Sequence, residues 1–303
     1  MRALAVIGNV NPDLVLGPAY PWPLPGTEVL VEHSELRVGG AAGNTALAWK
    51  AMGVPFQIAA NAGSDQFGAW LLETFGPWAE RWSIHQGPTT ISVRVTHPDG
   101  ERTFFTAAGH VDHLEVDDVC SGLDGEQLAG GIALLTGGFV TKALSSEYPK
   151  FLAWARAQNI SVALDTGWPS EGWTESKKAA ALSWLGESQI ALLNEIEATS
   201  LTSTDSAVAA AGALRDVMPS DAIIVVKCGS RGALAITPEQ LISQVSAERV
   251  AVVDTIGAGD VFNAGFLSAL AMGRRLEDCL LQGVSVATTA ISTRPRTYEK
   301  TGV

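Results

Sequence analysis

Apolar residues along this chain fall into short, nearly continuous runs that recur at regular intervals. Residues 4–7, 56–60, 132–135, 161–164, 189–193 and 222–226 each read as a strand buried on both faces, because none alternates strictly between apolar and polar. Helical segments lie between them. Residues 41–52 form one that stops at Gly53, Asp65 caps another that runs to residue 75, and Ser145 opens a third that runs to residue 158. Two more follow near the end, at 261–272 and from Leu276 to about residue 293. Strands interleaved with helices of this length predict an α/β fold: three layers, doubly wound, with a mostly parallel sheet. A strand-like run at 249–253 precedes the penultimate helix.

Two stretches break that rhythm. Pro18, Pro21, Pro23 and Pro25 interrupt the first, and residues 29–38 then look extended. Residues 91–95 and 102–105, joined by a turn at Pro98-Asp99-Gly100, give a hairpin signal. The expectation is a single domain over 1–303 with β excursions at about 14–38 and 88–107.

The net charge of −12 argues against a nucleic-acid or membrane-surface role, since there is neither a basic balance nor a long Lys/Arg run. Three widely spaced cysteines, Cys120, Cys228 and Cys279, suit a reduced compartment better than a disulfide scaffold. No apolar run approaches the roughly 18 to 20 residues that would cross a bilayer. The expectation is a cytoplasmic protein whose partners are small molecules, and exposed strand edges also make a homodimer plausible.

Candidate chemistry sits at the carboxyl ends of the strands, where open α/β sheets bind ligands. In Asp254-Thr255-Ile256-Gly257-Ala258-Gly259-Asp260, three small residues at a helix start let the backbone turn tightly and aim free N–H groups at one spot. That spot attracts anions, and Asp260 beside it is placed to accept a proton. Asp13 follows the first strand, and Gly39 and Gly40 allow the backbone to come close to a ligand. Asn44 can both donate and accept, as hydroxyl recognition requires. Asp165 ends another strand, and Asn194 and Glu197, three apart at a helix start, share one face.

The seven-residue string resembles the second signature of the PfkB (ribokinase-like) carbohydrate kinases, matched at every specified position. Gly39-Gly40-Ala41-Ala42-Gly43-Asn44-Thr45-Ala46, about 215 residues earlier, resembles the first. The resemblance implies a ribokinase-like fold with a small β-sheet lid over the sugar. It also implies ATP-dependent phosphorylation of a primary hydroxyl, with Asp260 as base and the amides of Gly257, Ala258 and Gly259 as anion hole. Asp13, Gly39, Gly40 and Asn44 would then touch the sugar. Asn194-x-x-Glu197 resembles a motif that helps place Mg²⁺ through water and the phosphates. Lys227, Gly229 and Thr255 would line the nucleotide side, with Lys227 or Arg231 neutralising phosphate. Asp254 and Ile256 match the first part of a monovalent-cation site, but Arg294-Pro295-Arg296 stands where relatives usually carry Gly, which argues against activation by K⁺. No adenine-binding Asn or His stands out in the last helix.

Other chemistries fit less well. There is no Gly-x-x-x-x-Gly-Lys-Ser/Thr loop and no Gly-x-Gly-x-x-Gly after the first strand, and His110 and His113 read as loop residues rather than metal ligands. A nucleoside kinase on the same scaffold and a catalytically idle sugar-binding protein remain as alternatives. Arg94, Arg102 and Trp168 are candidates for reading a ligand group.

Overall fold

A computed structural model describes residues 1–98, 102–237, 239 and 242–298. In chain order the strands are β1 (Leu4–Ile7), β2 (Asn11–Gly17), β3 (His33–Gly39), β4 (Gln57–Ala59), β5 (Asn61–Gly63), β6 (Ser83–His85) and β7 (Ile91–Thr96). There follow β8 (Arg102–Ala107), β9 (Ile132–Thr136), β10 (Ser161–Asp165), β11 (Ile190–Asn194), β12 (Ile223–Lys227), β13 (Ala233–Ile236) and β14 (Ile242–Val245). The main sheet has the order β14-β13-β12-β11-β10-β9-β1-β4. It is parallel from β4 to β12 and antiparallel at β13 and β14.

Period-two alternation explains the layers. Leu4 and Val6 of β1, with Ile132 and Leu134 of β9, enter one core with Trp49, Phe262 and Phe266. Ala5, Ile7, Ala133 and Leu135 point the other way, into a second core with Tyr148, Phe151 and Leu185. Both faces are therefore apolar and helix-covered, as the unbroken hydrophobic runs require. Trp49 is fully buried, and its indole N–H donates to Ala264 O at 2.9 Å, fixing helix Ala41–Ala51 against helix Ala258–Ala271.

The smaller sheet has the order β3-β2-β7-β8 and lies over the carboxyl end of β1. Asp13 sits within β2 rather than in a loop after β1. Pro12 is tolerated there because pairing with β7 begins only at Asp13, so on that side no ladder hydrogen bond is lost. Register places Asp13, Val15, Arg37, Glu35, His33, Arg94, Thr96, Phe104 and Arg102 on one face of this sheet.

Other sequence expectations need correction. The extended run at 29–38 is a strand only over His33–Gly39. The helix expected over 145–158 is two pieces, Lys142–Ser146 and Tyr148–Ala157, because Pro149 suits a first helical turn but cannot continue an existing helix. The run at 249–253 is not a strand. Its Val252 and Val253 are exposed, and the N–H groups of Val253 and Asp254 donate to Ile291 O near the end of helix Leu276–Ser292, at 2.7 and 3.1 Å. Of the turn expected at Pro98-Asp99-Gly100, Asp99 and Gly100 lie outside the described residues. Among the described residues no helix is long and apolar enough to cross a membrane.

Candidate active site

The two glycine-rich stretches, far apart in sequence, meet at two hydrogen bonds. Asn44 Nδ2 donates to Asp260 Oδ2 at 2.8 Å, and Thr45 Oγ1 donates to Asp260 O at 3.1 Å. Glycine permits this approach in two places. A Cβ on Gly39 would run into the Asp13 carboxylate, and Gly257, at φ +69°, would meet Asn44 Nδ2 at 2.7 Å if it carried one. Gly257 caps helix Ala258–Ala271 with left-handed backbone geometry that favours glycine.

That helix start leaves donors available. The N–H of Ala258 is spent on Thr255 O at 3.2 Å, but the N–H groups of Gly257 and Gly259 have no acceptor among the described residues. The anion hole expected from three amides therefore has two ready donors, and Ala258 would have to give up its turn bond to join them. Lys227 lies just beneath: its Nζ would be 3.3 Å from a Cβ on Gly259.

Neighbouring strands deliver a second group of charges. Asp165 ends β10, Asn194 ends β11 and Lys227 ends β12, with Asn194 directly opposite Lys227. Lys227 Nζ reaches Asp165 Oδ2 at 2.7 Å and Asn263 Oδ1 at 3.2 Å, and Asn263 Nδ2 donates to the same Asp165 oxygen at 2.6 Å. Asn263 was missed at the sequence level, although its signal was present. It is a polar residue in an apolar helical run, one turn beyond Asp260 and hence on the same face. Asn194 and Glu197 form a capping box, with Glu197 N–H donating to Asn194 Oδ1 at 2.8 Å and Asn194 N–H donating to Glu197 Oε2 at 3.0 Å.

Three carboxylates, Asp165, Glu197 and Asp260, thus act on one buried ammonium, Lys227. Burial, then repulsion from Asp165, pushes Asp260 up to about 7 against the opposing Asn44 hydrogen bond and the Lys227 and Arg94 charges. Burial and Asp165 also push the Glu197 carboxyl up. Burial alone would lower the Lys227 ammonium, but Asp165, Glu197 and Asp260 outweigh it and hold its pKa above the usual lysine value.

Asp13 is enclosed by the smaller sheet. Its Oδ1 accepts from Asn11 Nδ2 at 3.0 Å, and Arg94 Nη2 lies 2.6 Å from its Oδ2. Burial raises the Asp13 pKa despite Arg94 and Arg37. The sheet is tied to the second signature at two points: Arg37 Nη1 donates to Asp254 Oδ2 at 2.7 Å, and Arg102 Nη2 donates to Thr255 Oγ1 at 2.7 Å. From the far end of the chain, Arg296 Nη2 donates to Ile256 O at 2.7 Å and lies 3.3 Å from Asp254 Oδ2.

Other candidates fall outside this cluster. Exposed Arg231 pairs with Glu195, and Trp168 packs edge-on against Trp173 at 6.0 Å. His110 is buried, hydrogen-bonded to Val10 O and the Thr90 N–H. Arg37 carried no motif that would have marked it in advance, whereas Arg296 belongs to the Arg294-Pro295-Arg296 stretch already set against a cation site.

Residues 1–298 match the family described as "pfkB family carbohydrate kinase". The chain is 28% identical over 297 residues to 1-phosphofructokinase of Escherichia coli (strain K12), covering 92% of this chain and 90% of that protein. The PfkB protein from Polaromonas sp. JS666 superposes with a TM-score of 0.79 at 21% identity, covering 98% of each chain. Arabidopsis thaliana ribokinase complexed with ribose and ATP gives 0.76 at 22% identity, covering 96% of this chain and 92% of that one. With both signatures joined at the Asn44–Asp260 hydrogen bond and the match running over nearly the whole chain, this protein belongs to the pfkB family of carbohydrate kinases.

Proposed function

We propose that this chain transfers the γ-phosphate of ATP to a primary hydroxyl of a small sugar or sugar derivative. The hydroxyl oxygen attacks the γ-phosphorus, Asp260 takes the hydroxyl proton, the bond from that phosphorus to the bridging oxygen breaks, and ADP leaves. The observation that carries this reading is the 2.8 Å bond from Asn44 to Asp260, which sets the base between the available amides of the helix start and the sugar-side Asp13. A carboxylate at about 7 suits the role, since general bases work best near the operating pH.

Each group has a physical task. Asp13 and Asn44 hold the acceptor by its hydroxyls, because a carboxylate accepts from two at once and an amide both donates and accepts. The Gly257 and Gly259 amides, with Ala258 if its turn bond opens, face the oxygens of the phosphoryl group in flight, where fixed donors act most strongly. Lys227 supplies positive charge under that loop, with Gly229 and Thr255 on the nucleotide side.

Mg²⁺ fits the residues present only as an ion that keeps its waters, since Asp165, Glu197 and Asp260 act on one ammonium while, among the described residues, no group of three His, Cys, Asp or Glu could ligate a metal directly. Asn194 and Glu197 would hold it through water, and the ion supplies neutralisation of the triphosphate. A monovalent cation at Asp254 and Ile256 does not fit, because the Arg296 guanidinium already stands on the Ile256 carbonyl and beside the Asp254 carboxylate.

The test is coupled ADP detection with Asp260→Asn. Turnover on the best acceptor should fall by roughly 10² to 10⁴ while calorimetry still shows ATP binding. A folded, ATP-binding variant with near-normal turnover would sink the assignment.

A further inference from the structure

Two guanidinium groups flank the proposed sugar-binding aspartate, and each has a buried N–H with no hydrogen-bond partner among the described residues. Arg94 lies over Asp13 at 2.6 Å, its guanidinium against the ring of Phe104 at 5.3 Å, and its Nε has no partner. Arg37, directly opposite Asp13 in the β2–β3 register, gives Nη1 to Asp254 and leaves Nη2 without a partner. Buried polar atoms are almost always satisfied, and Asp13 Oδ2 also lacks a hydrogen-bond partner among the described residues, so two idle donors and one idle acceptor on one face point to a ligand that both accepts and donates there.

Charge balance around them points the same way. On the same face of the smaller sheet, a cavity of about 550 Å³ has Arg37 and Arg102 in its wall, though neither Asp13 nor Arg94 lines it. Arg37, Arg102, Arg294 and Arg296 line it against two carboxylates, Glu35 and Asp254. This is a local positive excess on a chain whose net charge is −12. Furthermore, a sugar that engages both Asp13 oxygens competes with Arg94 for the same lone pairs. Hydroxyls on Asp13 leave its charge in place but loosen its contact with the buried Arg94, and an anionic group on the same ligand would restore a partner to that guanidinium.

We propose that the acceptor is an anionic sugar, its carboxylate or phosphate read by Arg94 and Arg37 while its hydroxyls lie on Asp13 and Asn44. This rests on the kinase reading above and names the acceptor class for it. The planar, forked guanidinium suits either anion.

Coupled ADP detection tests it with fructose and ribose as neutral acceptors, fructose 1-phosphate and fructose 6-phosphate as phosphate esters, and gluconate and 2-keto-3-deoxygluconate as acids. At least one anionic acceptor should exceed every neutral one in kcat/KM by about 100-fold or more. Which arm responds decides between phosphate and carboxylate. Arg94→Gln should collapse that ratio mainly through KM for the anion, and Arg94→Lys should restore part of it, with melting temperatures checking that both variants fold. Equal or better turnover of neutral sugars, or a ratio untouched by Arg94→Gln, overturns the proposal. ADP release from no acceptor at all would overturn the kinase reading itself, and this inference with it.

Discussion

At the scale of single residues, Asp260, the proposed base, is held at the expense of stability. Its folded-state pKa of about 7 stands above the ordinary 3.8 because burial and Asp165 oppose its charge. Between those values the folded chain holds a proton that the unfolded chain has released, so stability declines as pH rises through that window. Above pH 7 the deficit is complete. Asp260→Asn should therefore melt at a higher temperature than the parent at pH 8, with the difference closing near pH 4, as a pair of thermal melts would record. The same titration governs rate. In the unaltered enzyme log kcat/KM should fall with unit slope below about pH 7 and level off above it, because only the charged carboxylate accepts the proton. A profile flat down to pH 5 would contradict the pKa and the role together.

At the scale of elements, Asn194 illustrates how a local structural device and a functional motif coincide. The reciprocal bonds between Asn194 and Glu197 cap helix Glu195–Thr202 whether or not a metal ion visits. Asn194→Ala should cost about 1 kcal/mol in urea denaturation, and Asn194→Ser, which keeps a capping oxygen, should recover most of it. A kcat loss that persists in the serine variant would separate the role near the phosphates from the cap. Sequence pattern made such elements legible where local chemistry decides them. Asp65 accepts from the Phe67 and Gly68 N–H groups as a cap, the apolar runs became the parallel strands, and the glycine strings marked both sides of the Asn44–Asp260 contact. Pattern failed where tertiary contacts decide. Residues 249–253 have strand-like composition, yet their N–H groups find the last turn of helix Leu276–Ser292 instead of a neighbouring strand. Asp13 read as a position just beyond the first strand, yet pairing with β3 and β7 draws it into a sheet. Arg37, Arg94 and Arg296 converge only because the smaller sheet folds back over β1 and the chain returns after its last helix, neither of which leaves a mark in local spacing.

At the scale of the whole molecule, Asp254 is where three distant parts of the chain are held together. Arg37 reaches it from the smaller sheet at 2.7 Å, and Arg296 reaches it from beyond the last helix at 3.3 Å. Burial raises the carboxyl, but the Ile256 N–H and the two guanidinium groups outweigh it and hold its pKa below the usual aspartate value, so it stays charged through the neutral range. Arg296 also satisfies the Ile256 carbonyl, one residue before the glycine turn whose amides are proposed to face the phosphates. Positive charge at this point steadies the turn, and here it is covalently part of the chain. Rates should consequently be the same in potassium, sodium and choline chloride at equal ionic strength. Arg296→Ala leaves the Ile256 oxygen and one side of Asp254 open, which are hard oxygen donors suited to an alkali cation. That variant should lose activity in choline and regain part of it in potassium, with its melting temperature rising in parallel. If the parent enzyme itself required potassium, or the variant ignored it, the guanidinium would not be standing in for an ion at this junction.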